Sequence, residues 1–222
     1  MINLTKKIKL CGFTKPDTLQ VAIDCSVDFV GLVFASNSPR FVSENIAYDL
    51  AKIIPKKVAK VAVVVDLSLS KLQNIYLAYQ PDFWQVHGNF NYNDLLLLKK
   101  NFSETKIIPA FNIKSADDLA KINDFSNISD YFLLDSASSG EGRAFDWQVL
   151  AKTNFAKPLI LAGGVNLHNL PLAFHLADVF DISSGIEEIK GVKSAKLIIE
   201  TMKVFKDGND INNNKILPKI NI

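Results

Sequence analysis

The stretch Lys7–Thr14, KIKLCGFT, carries a thiol to the end of an apolar run and breaks the run with glycine. A cysteine at a strand tip serves as a base or nucleophile when nearby positive charge favours the thiolate. The alternative for Cys11 is a small buried apolar residue, the common fate of a free cysteine. Cys25 falls on the apolar face of a helical pattern and fits that structural role. Asp135 closes a second apolar run, YFLLD, where desolvation raises a carboxyl pKa and suits a general acid; otherwise it caps the next loop. Arg40, after Pro39 in FASNSPRF, offers a planar fork to a carboxylate unless it is simply solvated. Gln85 and His87 alternate with Trp84 and Val86 in WQVHG, so they share one face, as site residues or as a satisfied polar pair. Two cysteines and three scattered histidines show no metal-ligand spacing.

These groups are spaced by an alternation of short apolar runs with longer segments of helical period. Strands are expected over Lys7–Cys11, Asp28–Phe34, Val58–Val65, Phe83–Val86, Lys106–Phe111, Tyr131–Asp135, Pro158–Ala162 and Val179–Ile182. Helices are expected near Asp17–Cys25, Glu44–Ile54, Leu69–Ala78, Tyr92–Phe102, Ala116–Asn123, Asp146–Ala151, Leu167–Leu176 and Ser194–Phe205. Thr14 with Asp17, Ser43, and Ser115 with Asp118 read as helix starts. Strands apolar on both faces imply parallel pairing under helices. The expected fold is α/β, a single-domain (β/α)8 TIM barrel over residues 1–206; a doubly wound open sheet is the competing architecture. Pro109 predicts a bulge or a strand end. From Asp207 the chain turns Asn- and Lys-rich, and 207–222 reads as a polar C-terminal tail.

A barrel gathers its chemistry at the C-terminal ends of its strands, and its last two loops often bind phosphate through backbone N–H groups. LAGGVN and DISSGIE place Gly163, Gly164, Ser184 and Gly185 there. The Gly140-Glu141-Gly142 stretch after the sixth strand suits a closing loop. The net charge of +2, without a long basic run, argues against nucleic acid as partner. No apolar stretch approaches the ~20 residues of a membrane span, and the N-terminus lacks a signal-peptide core. A cytoplasmic protein without a membrane partner is expected.

In order along the chain, KLCGFT, GLVFASNSPR, QVHG, LLDS, GEGRAFDW, LAGGVN and DISSGIE resemble the motifs of the phosphoribosylanthranilate isomerase family of tryptophan biosynthesis. The resemblance spans Lys7 to Phe205. It implies a (β/α)8 barrel and an Amadori rearrangement of a phosphosugar, N-(5-phosphoribosyl)anthranilate, without cofactor or metal. It further implies Cys11 as general base, Asp135 as general acid, and Arg40 facing the anthranilate carboxylate. Gly163, Gly164, Ser184 and Gly185 fall in the phosphate loops, with Asp181 in support; Gln85 and His87 remain open to either reading. Family members occur as monomers and as homodimers. The chain departs from the family at Ser139-Gly140-Glu141-Gly142, where Gly-Gly-Thr-Gly or Gly-Gly-Ser-Gly is usual. Another phosphosugar barrel enzyme, or a silent phosphate-ligand binder, stays open at this stage.

Overall fold

Strand β1 (Lys7–Cys11) pairs in parallel with both β2 (Phe29–Val33) and β8 (Val179–Ile182), so the sheet closes on itself. This excludes the open sheet. The computed structural model describes residues 5–113, 116–119, 121–135, 147, 150 and 153–214. Between β2 and β8 follow β3 (Ala59–Val64), β4 (Phe83–Val86), β5 (Lys106–Asn112), β6 (Phe132–Asp135) and β7 (Leu159–Ala162), each beside its neighbour in chain order. The chain is a (β/α)8 barrel.

Burial on both faces explains the strand composition. Outward residues such as Ile8, Leu10, Val30 and Leu32 pack under the helices. Inward residues such as Val61, Val63, Ile108, Leu133 and Ile160 fill the lumen. The aromatic rings of Phe29, Phe83 and Tyr131 meet edge to face at 5.6, 5.8 and 6.1 Å. Pro109 stands inside β5 without a bulge. It closes the β4 pairing at Val86↔Pro109, and the β6 pairing begins at Ala110. At this handover the missing N–H is not needed.

Helix α1 (Pro16–Asp24) begins at a proline, which needs no N–H at that position; Lys15 precedes it and the expected Thr14–Asp17 cap does not form. Helix α2 (Glu44–Ala51) is capped by Ser43, whose hydroxyl accepts from the Ile46 N–H. Helices α3 (Leu69–Tyr79) and α4 (Tyr92–Asn101) follow, the latter with a full Asn91–Asp94 capping box. The expected helix from Ala116 is instead two 3-10 turns, Ala116–Leu119 and Ile122–Phe125. Its run of Asp and Asn favours local side-chain bonding over helix. Helix α5 shrinks to Leu170–Ala173. Helix α6 (Ala195–Asn214) continues beyond the expected boundary at Asp207. There Asn209 exchanges hydrogen bonds with the Lys6 backbone, 3.1 and 3.2 Å, tying the helix to the start of β1. The Ser115 cap, the Gly140–Gly142 loop and most of the helix expected over Asp146–Ala151 lie outside the described residues.

The barrel floor carries a repeat. Asp28, Asp82, Asp130 and Asp178 each precede an even-numbered strand. Each accepts from the backbone N–H at the start of the preceding strand, at Ile8, Lys60, Ile107 and Leu159, over 2.7–2.9 Å. These clasps fix register at the end of the barrel away from the strand tips. Asp178→Ala should therefore lower stability by about 1–3 kcal/mol, read as a shifted urea midpoint, with kcat unchanged.

Candidate active site

The C-terminal strand ends open onto a cavity of about 280 Å3. Cys11 enters it from β1, Arg40 from the loop after β2, Gln85 from β4 and His87 from the residue just after it, and Asp135 from β6. Gly163 and Gly164 come from the loop after β7, Asp181 and Ser184 from β8 and its loop. Residues as far apart in the chain as Cys11 and Ser184 thus line one cavity. A neighbouring cavity of about 360 Å3, lined by Phe90, Phe111 and Phe125, holds none of the sequence-predicted site residues.

Cys11 is 6% exposed. Directly below it on the same face of β1 is Lys9, fully buried, with Nζ 2.7 Å from Asp181 Oδ2. Burial pushes the Cys11 thiol above its ordinary value, against the pull of the Lys9 charge. Lys9 itself is held above its ordinary value: burial works against the ammonium, and Asp181 and Cys11 together outweigh it. Asp181 Oδ1 is buried and takes no hydrogen bond from the described residues. Sequence reasoning missed Lys9. The signal was present in KIKLC, where the alternation that sends Ile8 and Leu10 outward sends Lys9 and Cys11 inward.

Gln85 Nε2 lies 2.6 Å from His87 Nε2. Burial lowers the His87 pKa, with Asp135 opposing, which favours the neutral imidazole. Gln85 and His87 both face the cavity and also pair with each other, so the two readings of WQVHG are not exclusive.

Arg40 is anchored by a carboxylate of the same chain. Its Nε and one Nη2 hydrogen donate to Glu187, at 2.6 and 2.7 Å. Lys193 Nζ and the Gly191 N–H donate to the same carboxylate at 2.8 and 3.0 Å. Burial opposes the Glu187 charge, but the bonds from Arg40 and Lys193 dominate and hold its pKa at about 2. Glu187 and Lys193 belong to a small antiparallel hairpin, β9 (Glu187–Ile189) with β10 (Val192–Lys193). Lys193 also donates to the Ser183 carbonyl, and the Ser183 hydroxyl donates to the Cys11 carbonyl, both at 3.0 Å. The β8 loop is thereby stitched to the tip of β1. Gly12, at φ +85°, explains the Cys-Gly ending: a side chain there would meet Arg40 Cδ at 2.5 Å. The Arg40 chain crosses the strand tip through that gap.

The glycine loops are shaped by asparagine. Asn166 Nδ2 and Asn169 Nδ2 both donate to the Gly164 carbonyl at 2.9 Å, while Asn166 Oδ1 accepts from the His168 N–H. These turn-forming bonds occupy the residues ahead of α5 and account for its late start. The loop after β8 enters a 3-10 turn at Ser184–Ile186, whose first N–H groups have no intrahelical acceptor. Among the described residues, no three His, Cys, Asp or Glu side chains gather where a metal ion could sit. No helix among them is long and apolar enough to cross a membrane.

The family model for N-(5'-phosphoribosyl)anthranilate (PRA) isomerase matches residues 8–204. The chain belongs to the phosphoribosylanthranilate isomerase family. It is therefore an enzyme of the phosphoribosylanthranilate isomerase class. The N-(5'-phosphoribosyl)anthranilate isomerase of Streptococcus gordonii is 35% identical over 204 residues, covering 91% of this chain and 98% of the relative. That of Rhizobium leguminosarum is 33% identical over 211 residues, covering 91% and 95%. The crystal structure of phosphoribosyl anthranilate isomerase from Thermotoga maritima superposes with a TM-score of 0.82 at 25% identity, covering 91% of this chain and 99% of that one. A second phosphoribosyl anthranilate isomerase crystal structure, in complex with reduced 1-(o-carboxyphenylamino)-1-deoxyribulose 5-phosphate, gives 0.80 at 25% identity over the same coverage.

Proposed function

We propose that this chain catalyses the Amadori rearrangement of N-(5-phosphoribosyl)anthranilate to 1-(2-carboxyphenylamino)-1-deoxyribulose 5-phosphate in tryptophan biosynthesis, with Asp135 as acid and Cys11 as base. The observation that carries this reading is a single cavity lined by a thiol, a carboxyl, an anchored arginine and two glycine loops. Family membership makes the substrate class specific.

Asp135 delivers a proton to the ribose ring oxygen while the anthranilate nitrogen lone pair opens the ring to a Schiff base. The Cys11 thiolate then removes the C2′ proton; the released pair forms a C1′=C2′ double bond while the C1′=N π pair returns to nitrogen, giving an enolamine. Tautomerisation to the ketone completes an isomerisation with no net gain or loss of electrons. The positive Schiff base, formed next to the thiol, favours the thiolate when it is needed. Each proton transfer contributes ~10²–10⁴-fold in rate. The β7 and β8 loops hold the phosphate and Arg40 the carboxylate, so the reacting carbon is placed between acid and base.

Glu187 occupies only two of the five N–H donors of Arg40. The outer edge of the guanidinium is left for a substrate carboxylate, with its orientation set. Glu187→Gln should raise KM about tenfold, roughly 1.4 kcal/mol, and change kcat less. The reading itself is tested by following loss of the anthranilate fluorescence of the substrate on adding protein. Complementation of a tryptophan auxotroph lacking this step is the companion test. A folded preparation that leaves the fluorescence unchanged would overturn it.

A further inference from the structure

The mechanism above uses Cys11 as a base, yet a thiol in a buried strand tip is poorly suited to losing its proton. Beneath it lies an ionised lysine that the mechanism does not use. Lys9 and Cys11 occupy alternate positions of β1, so both side chains enter the lumen from the same strand face. Both lean over Gly31, the residue paired with Cys11 on β2: a side-chain carbon at Gly31 would lie 2.5 Å from Cys11 Sγ and 3.1 Å from Lys9 Nζ. The glycine leaves the space in which amine and sulfur meet. On the other side, β8 places Asp181 in register with Lys9, and the two pair at 2.7 Å.

We infer that Lys9 is a positioning residue for the proposed base: its buried ammonium, held charged by Asp181, stabilises the Cys11 thiolate. This rests on the functional reading above and deepens it.

A lone ammonium at 0% exposure would shed its proton, because burial in a low-dielectric interior penalises the charge. Asp181 prevents this, and Lys9 stays protonated. The charge then acts on the sulfur above it. The groups facing Cys11 are Lys9 from β1, Asp181 from β8, Lys193 from β10 and Arg40 from the β2 loop, with Tyr79 behind the sheet. His87 and Asp135 stand across the same cavity. Among the charges acting on the thiol, Lys9 is the strongest and lowers its pKa; Asp181 is the next and raises it. Removing both partners of the pair should therefore still leave the thiol harder to ionise than in the native protein. Asp181 keeps one oxygen on Lys9 and presents the other, buried and without a partner among the described residues, at the cavity wall.

The test uses the full chain carrying Cys25→Ala, so that Cys11 is the sole thiol. The rate of alkylation by iodoacetamide is measured against pH for this protein, for Lys9→Met and for the charge-free pair Lys9→Met/Asp181→Asn. The pair guards against misfolding around an orphaned carboxylate. Both variants should shift the alkylation profile upward by about 1–3 pH units, and kcat/KM at pH 7 should fall about tenfold per unit and recover as pH rises. An unmoved profile in a folded variant overturns the inference and reduces Lys9–Asp181 to a structural pair. Should neither variant fold, the Lys9 Nζ resonance of the native chain must move at the pH where the thiolate forms, and a resonance that stays still overturns the inference. Alkylation and resonance need no turnover. A protein inactive on phosphoribosylanthranilate but showing these shifts defeats the functional reading and keeps the role of Lys9.

Discussion

Cys11→Ser and Asp135→Asn should each lower kcat by about 10²–10⁴-fold while the thermal melt stays close to that of the parent. Serine keeps the size of the side chain but has a far less acidic proton, so no base is available for C2′ at neutral pH. Asparagine keeps the shape of Asp135 and has no proton to give the ring oxygen. The losses should fall at different steps. With Asp135→Asn, ring opening fails and the substrate persists in its closed form. With Cys11→Ser, opening survives and C2′ retains its hydrogen, visible as absence of solvent deuterium in recovered material. The small, buried environment of Cys11 tolerates the single-atom change. Turnover near normal in both variants, measured with the same fluorescence assay, would remove these two residues from the mechanism.

Gly185→Ala should reduce kcat/KM about 10²-fold, mostly through KM. A Cβ at this position would lie 2.6 Å from the Val165 carbonyl oxygen and 2.9 Å from Asn166 Cβ. The oxygen belongs to backbone that cannot swing aside like the end of a flexible side chain, so the loop after β8 must separate from the loop after β7. These two loops are the proposed phosphate cradle, and a charge-assisted hydrogen bond lost from it costs ~1.5–3 kcal/mol. The diagnostic comparison is inorganic phosphate as a competitive inhibitor. Its inhibition constant should rise with the KM of the substrate, whereas a dephosphorylated analogue should bind parent and variant alike. Equal weakening for both ligands would mean that the substitution had deformed the whole cavity.

The strand pattern was legible because parallel barrel strands are buried on both faces. Runs such as FVGLV and LILA can occupy few other environments. Strand starts and ends moved by at most one position. The helices were less legible where side chains competed for the backbone. Asn166 and Asn169 bond to the turn before α5, and the Asp-rich segment from Ala116 forms 3-10 turns. Helix α6 runs past the compositional boundary at Asp207 because Asn209 docks on Lys6, a contact that composition does not reveal. One cavity is lined by Cys11, Arg40, Asp135, Asp181, Gly163, Gly164 and Ser184. The family resemblance pointed to Asp181, and the strand-end rule to the rest. Neither gave a hint that Arg40 would be held by Glu187, 147 positions away.

What the sequence determined by itself is local: which segments are strands, which face each side chain takes, and which residues stand at the strand tips. These follow from a period of two and from the burial of both strand faces. Only the tertiary structure decided who meets whom. Closure of β1 on β8 places Asp181 opposite Lys9, and the β9–β10 hairpin brings Glu187 to Arg40. Charge pairing inside a barrel depends on register and ring closure, and neither leaves a periodic trace in the chain.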